Sequence, residues 1–172
     1  MDHLQYEIDG YYQTKLRYFH DRKTSKETAD LLSYCCPDLM HLFLDTPDPG
    51  VTPYVMKNHE QRLRKLKVSK VSCRELNDMF EAGHWGLVSL ELVNGRDSLD
   101  LYQVARSCYH LQSLEIYYSM AVHVSKPLEL HFPSLKVCFH TTNFINFNRV
   151  FKIFFITSMI NHPGRSSIIP VL

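Results

Sequence analysis

Apolar residues recur along this chain with a period of 24 residues. The pattern L-x-x-L-x-L or its remnant begins at Leu39, Leu63, Leu87, Leu111 and Leu135. The first four copies are apolar at their fourth and sixth positions, whereas Cys138 and His140 show that the fifth copy decays. A pattern of this kind at a period of about 20–29 residues is typical of leucine-rich repeats, in which each unit contributes a strand and a returning segment.

A second apolar column lies seven residues before each leading leucine. Its members are Leu32, Met56, Phe80, Val104 and Leu128. Stacked repeat units bury equivalent side chains in one continuous core, so two columns with one period are what such a stack requires. The sequence therefore predicts an α/β fold, a right-handed βα solenoid with four good repeats and one decayed repeat.

The phase of the repeat divides the chain into three parts. Residues 24–143 hold the repeats, and residues 1–23 form an N-terminal cap or a remnant, since Leu16–Phe19 resembles a repeat strand one residue out of phase. The register fails in residues 144–172, which we interpret as a C-terminal cap or an irregular tail. The apolar run 150–160 is shorter than the roughly 20 residues that cross a bilayer. Peripheral membrane binding is the least favoured alternative for it.

Capping and breaking residues predict where the helices begin and end. Thr24–Glu27 and Ser72–Glu75 both fit the capping box, in which a hydroxyl and a Glu satisfy free backbone N–H groups. Three prolines in residues 45–53 predict that the second unit lacks a helix before about residue 54. The predicted helices cover about 25–35, 72–82 and 98–108, with a short helical turn at about 124–131.

A third column, three residues before each leading leucine, carries a resemblance to a known family. Cys36-Pro37-Asp38-Leu39 and Cys108-Tyr109-His110-Leu111 are near-repeats within it, and Phe132-Pro133-Ser134-Leu135 is a variant. In these residues the chain resembles the ribonuclease-inhibitor-like, cysteine-containing class of leucine-rich repeats. That class is best known from the substrate-binding arms of F-box proteins.

The resemblance implies that the chain is the substrate-receptor arm of an F-box-like subunit of a cullin-RING ubiquitin ligase, and that this arm binds a protein substrate. Such subunits join the ligase through a Skp-type adaptor. The alternative is a stand-alone inhibitory or scaffolding leucine-rich-repeat protein with no ligase link. Both readings make the chain a protein-binding module.

Composition narrows the class of protein. A net charge of +1 and 22% charged residues give no general bias toward nucleic acid or acidic membranes. The five cysteines fit neither a disulfide framework nor a zinc pattern, which favours a reduced, cytoplasmic or nuclear protein without metal or cofactor. The first residues also lack the basic and apolar regions of a secretory signal.

The concave face of such a solenoid is the predicted binding site. Side chains alternate along a strand, so the third, fifth and seventh positions of each copy point away from the core. The candidate residues are His41, Phe43, Asp45, Lys65, Lys67, Ser89, Glu91, Ser113, Glu115 and Tyr117. This mixture of aromatic, basic and acidic groups favours a protein partner over nucleic acid. The bland alternative is a solvated face with cross-strand charge pairs.

No catalytic motif is present in the sequence. A G-x-S-x-G, a P-loop and an H-E-x-x-H are all missing. Cys73 and His84 could be imagined as a nucleophile and its base, but they flank one helix and lie on the order of 16 Å apart at the helical rise. We therefore expect a protein that is not an enzyme.

Overall fold

Five parallel strands form the main sheet in the described part of this protein, and a second sheet there has two strands. The computed structural model describes residues 14–117, 121–126 and 132–135. The strands are β1 (Tyr18–Asp21), β2 (His41–Leu44), β3 (Lys65–Ser69), β4 (Ser89–Val93), β5 (Ser98–Asp100), β6 (Ser113–Tyr117) and β7 (Ala121–His123). The helices in the described residues are α1 (Lys26–Cys35), α2 (Val51–Asn58), α3 (Cys73–Ala82) and α4 (Leu101–Ser107).

The main sheet follows the repeat period. Its order is β1-β2-β3-β4-β6, and every neighbouring pair is parallel. The Cα partners run from His41 to Lys65, Ser89 and Ser113, a constant offset of 24 (41, 65, 89, 113). The four predicted repeat strands are therefore confirmed. β1 joins the same sheet one residue out of phase, since Tyr18 pairs with His41.

The two apolar columns form the core. The leading leucines and the second column belong to one buried cluster, as do the fourth and sixth positions of the strands. The buried members of the two columns are Leu39, Leu63, Leu87, Leu111, Leu32, Met56, Phe80 and Val104. The predicted core is confirmed for these eight residues, whereas Leu135 is half-buried and packs against the cluster. Leu128 and the decayed positions Cys138 and His140 lie outside them, as do residues 1–13 and 144–172 and most of the predicted turn at 124–131.

The helix termini differ from the predicted capping boxes. Ser25, not Thr24, caps α1, because the Ser25 hydroxyl accepts a hydrogen bond from the backbone N–H of Thr28 at 3.3 Å. α3 begins after Ser72 as predicted, but the Ser72 hydroxyl is 3.1 Å from Oδ2 of Asp97 and does not cap the helix. The cap of α1 is therefore local but shifted by one residue, whereas the Ser72 hydroxyl at α3 bonds to a distant residue instead.

α2 begins earlier than predicted. It starts at Val51, and Pro53 lies within its first turn. The first N–H groups of a helix have no intrahelical partner, so a proline there removes nothing that the helix uses. Gly50 precedes the helix with φ of 79°, a left-handed conformation that glycine adopts without steric cost.

The predicted helix 98–108 is in fact a strand followed by a helix. Ser98–Asp100 forms β5 and pairs in parallel with Ala121–His123, and only Leu101–Ser107 is helical. Asp100 ends the strand and caps α4, since its carboxylate accepts a hydrogen bond from the Tyr102 N–H at 3.0 Å. Pairing with a strand more than twenty residues away overrides the local helical pattern.

His84 stands in the third column of the repeat but is exposed, whereas the neighbouring Trp85 is buried. α3 ends at Ala82, one residue before the position equivalent to the ends of α1 and α4. Gly83 then continues in an extended conformation, with φ of −156°, rather than in the left-handed turn expected of a helix-ending glycine. This shift moves the apolar position by one residue.

Within the described ranges, no helix combines the length and the apolar character that crossing a bilayer requires.

Candidate functional site

The ten predicted binding residues lie on one side of the main sheet. On each strand they alternate with leucine, valine or isoleucine side chains that are buried in the core. All ten are exposed or half-buried, and Tyr18 and His20 of β1 join them through the strand pairing. We call these twelve residues the outer face: Tyr18, His20, His41, Phe43, Asp45, Lys65, Lys67, Ser89, Glu91, Ser113, Glu115 and Tyr117.

A straight row crosses the middle of the outer face. Phe43 pairs with Lys67, Lys67 with Glu91, and Glu91 with Glu115 on successive strands. Neighbouring strands lie about 4.8 Å apart, so each side chain in the row is within reach of the next. The row changes from aromatic to basic to acidic across the sheet.

The β1–β2 end of the outer face is aromatic. The rings of Tyr18 and Phe43 meet edge to face with centroids 5.1 Å apart, and the His20 ring lies 6.1 Å from Phe43. Tyr18 also contacts His41 with a centroid distance of 6.4 Å, and it remains 49% exposed. Tyr18 and His20 were not among the predicted site residues, because β1 is one residue out of phase with the repeat. The aromatic run Tyr18-Phe19-His20 was the available signal.

An ion pair lies at the centre of the outer face. The Lys67 ammonium lies 2.6 Å from Oε1 of Glu91, which agrees with the predicted cross-strand pair. His20 lies 3.9 Å from an Asp45 carboxylate oxygen. Lys65 is exposed, and among the described residues no carboxylate lies within ion-pair distance of it.

The carboxylate of Glu115 is held by two hydroxyl groups of its own strand. Ser113 donates to Oε1 at 3.2 Å, and Tyr117 donates to Oε2 at 2.6 Å. No cationic side chain in the described part of the chain reaches Glu115 within ion-pair distance. Each oxygen still has a second lone pair, because an ionised carboxylate accepts about four hydrogen bonds.

The basic residues between 62 and 70 do not form a single patch. Arg62 contacts the Asp38 carboxylate at 3.1 Å, and Arg64 donates to the carbonyl oxygen of Gly86 at 3.1 Å. Lys67 is engaged by its acidic neighbour on β4. These contacts disperse the positive charge that a polyanion would need in one place.

Cys73 and His84 do not form a nucleophilic pair. Cys73 is fully buried, and burial, together with the nearby charge of Asp97, raises the pKa of its thiol to about 12. A thiol with this pKa is protonated near neutral pH and is a poor nucleophile. His84 lies exposed beyond the end of α3.

A serine, a histidine and an aspartate meet on the second sheet, where sequence reasoning placed no candidate. The Ser98 hydroxyl lies 2.8 Å from Nδ1 of His123, but Nε2 of the ring is 3.8 Å from Asp100, too far for a hydrogen bond. Asp100 instead accepts backbone N–H groups from Tyr102 and Ser125. A carboxylate so engaged does not orient the imidazole as a catalytic triad requires, and the cluster fastens the sheet to α4.

No family model, curated protein or solved structure matches this chain. Among the residues described, no group of three or more histidine, cysteine or acidic side chains is arranged to hold a metal ion. The outer face is the surface on which aromatic and charged side chains are placed together in fixed register. A function is therefore inferred from it.

Proposed function

We propose that this chain is a non-catalytic recognition module that binds a protein partner on its outer face. The observation that carries this proposal is the row of Phe43, Lys67, Glu91 and Glu115 across four hydrogen-bonded strands. Regular strands hold such side chains in fixed positions, so little ordering is needed on binding. Partly exposed aromatic side chains beside charged groups are typical of protein–protein contacts.

We further propose that the fold is a short right-handed leucine-rich-repeat solenoid. The constant offset of 24 residues between paired strands and the two buried apolar columns support this architecture. In a solenoid each unit contacts its neighbours, and the strands line an extended binding surface. The outer face corresponds to that surface.

The narrower proposal is a substrate-receptor arm of an F-box-like ubiquitin-ligase subunit. Cys36 and Cys108, which carry the family resemblance, are both buried at equivalent positions after a helix. They act as small apolar residues there. The alternative, a stand-alone inhibitory or scaffolding repeat protein, would use the same face without a Skp-type adaptor or cullin.

Affinity capture with two matched variants tests these proposals. The first variant removes side chains of the outer face, and the second removes the same kinds of side chain from exposed positions of helices and loops. The outer-face variant is Phe43→Ala, Lys67→Ala, Glu91→Ala and Tyr117→Ala. The control variant is Tyr34→Ala, Lys57→Ala, Glu81→Ala and Tyr109→Ala. Circular dichroism checks that both variants keep the wild-type fold.

We expect a protein partner to be captured by the wild type and the control but lost from the outer-face variant. A Skp-type adaptor and a cullin recovered with all three proteins would support the ligase role, with its docking surface elsewhere on the chain. A partner without any ligase component would favour the stand-alone alternative. Capture that is equal for all three proteins, with no partner sensitive to the outer face, would overturn the recognition proposal.

A further inference from the structure

The two glutamates of the central row differ in how their charge is balanced. Glu91 is neutralised by Lys67 at 2.6 Å, whereas the partners of Glu115 among the described residues are the neutral hydroxyls of Ser113 and Tyr117. Those two bonds fix the carboxylate and leave its negative charge in place. In the described part of the row, the uncompensated charge therefore lies at β6, and the aromatic cluster lies at the opposite end.

We propose that the outer face binds an extended peptide segment with an arginine and an apolar or aromatic residue about four positions apart. This inference rests on the proposed recognition function and names the chemistry of the partner. The arginine would pair with Glu115, and the apolar side chain would pack on Tyr18 and Phe43. The peptide would cross the strands of the sheet.

The separation follows from the strand spacing. Phe43 and Glu115 lie in one row, with two strands between them. Three steps of about 4.8 Å give roughly 14 Å between their positions. An extended chain advances about 3.3 Å per residue, so a separation of about four residues matches the two subsites.

Arginine fits Glu115 better than lysine does. One oxygen is occupied by Ser113 and the other by Tyr117, so each retains one lone pair for a further donor. A guanidinium offers two parallel N–H groups to such a carboxylate, whereas an ammonium acts as a point charge. Lys65, exposed on β3, would repel the cation and thereby favour its placement at β6.

Synthetic peptides test this proposal with the full chain. The probe is a series of labelled glycine–serine peptides with one phenylalanine and one arginine, whose separation varies from about two to six residues. We expect the fluorescence anisotropy to report the tightest binding at a separation near four. Glu115→Gln should weaken the binding of that peptide by about tenfold or more, and it should abolish the preference for arginine over glutamine in the peptide. Glu81→Gln, an exposed glutamate on α3, is the matched control and should have no effect.

Two results would overturn the proposal. In the first, Phe43→Ala abolishes binding, but peptides with arginine and with glutamine bind equally well. The outer face would then recognise peptides without a subsite for a cation. The other is binding no tighter than that of the plain glycine–serine peptide at every separation. The capture experiment on the outer-face variant is independent of these peptides, so failure of the peptide chemistry and failure of the recognition function are distinguishable.

Discussion

Lys67 and Glu91 are register partners on β3 and β4, and their charged atoms lie 2.6 Å apart. Both side chains remain partly exposed, at 37% and 25% of their accessible area. The ion pair is therefore short in distance but in contact with water. It fixes the centre of the outer face more than it stabilises the fold.

We expect a weak energetic coupling between these two residues. A double-mutant cycle with Lys67→Met and Glu91→Gln should give a coupling of about 1 kcal/mol or less in the free energy of unfolding, since solvent screens partly exposed ion pairs. The coupling should fall further at high salt. Urea denaturation at low and high salt would measure it. A coupling well above this value that does not change with salt would contradict a water-exposed pair.

Truncation of a leucine in the buried core should strongly lower the stability of the protein. Leu90 is fully buried at the centre of the sheet, so Leu90→Ala should lower the free energy of unfolding by roughly 2–5 kcal/mol through lost burial and a new cavity. Leu31→Ala is the matched control, because Leu31 is 57% exposed. This substitution should change the free energy of unfolding by no more than about 0.5 kcal/mol. Similar losses in the two variants would mean that the assigned core is wrong.

His59 should make stability depend on pH. Its side chain is almost fully buried, and burial, with a smaller contribution from the charge of Arg62, holds the pKa of His59 below its usual 6.5. The unfolded chain therefore binds a proton more readily than the folded chain. The stability that the neutral ring contributes is complete above about pH 6.5 and declines as the pH falls toward the lower folded pKa.

His59→Gln removes this titration and serves as the reference for it. Chemical denaturation of both proteins between about pH 7.5 and pH 5 would give the free energy of unfolding at each pH. We expect the wild type to lose more stability than the variant over that range. Equal losses would show that His59 has the same pKa in the folded and unfolded chains.

Lys70 adopts a left-handed conformation immediately after β3, with φ of 59°. Asn94 has φ of 51° at the equivalent position after β4, and asparagine tolerates this region better than lysine. Lys70→Gly should therefore raise the free energy of unfolding by roughly 0.5–1 kcal/mol. Lys65→Gly, at an ordinary strand position, should lower it. Thermal unfolding compares the two, and a loss at both positions would contradict strain at Lys70.

The strands and the core were predictable because neighbouring units bury equivalent side chains. Leu42, Leu66, Leu90 and Leu114 stand in one sequence column and in one row of the sheet. The outward residues follow from the same alternation, so all ten proposed site residues lie on the expected side. The 24-residue period therefore predicts the positions only of residues that keep that spacing.

The features that could not be predicted from the sequence depend on contacts between residues that are distant along the chain. Ser98–Asp100 has a helical neighbourhood in the sequence but becomes a strand through pairing with Ala121–His123. The hydroxyl of Ser72 turns to Asp97, twenty-five residues on, rather than to its own helix. The hydrogen bonds from Ser113 and Tyr117 to Glu115 could not be predicted either. The repeat pattern predicts the face of the sheet on which a side chain lies, but not its hydrogen-bond partners.

The constant offset between paired strands also determines which length changes the sheet can absorb. Excision of residues 65–88 would bring Ser89 opposite His41 and Leu90 opposite Leu42, so every apolar side chain would still face the core. Between β1 and β2 the offset is 23 rather than 24, yet Tyr18 still pairs with His41, so the connecting segment there takes up the difference of one residue. Removal of a whole repeat therefore needs no adjustment elsewhere, whereas a change of one residue must be taken up by the segment that connects two strands.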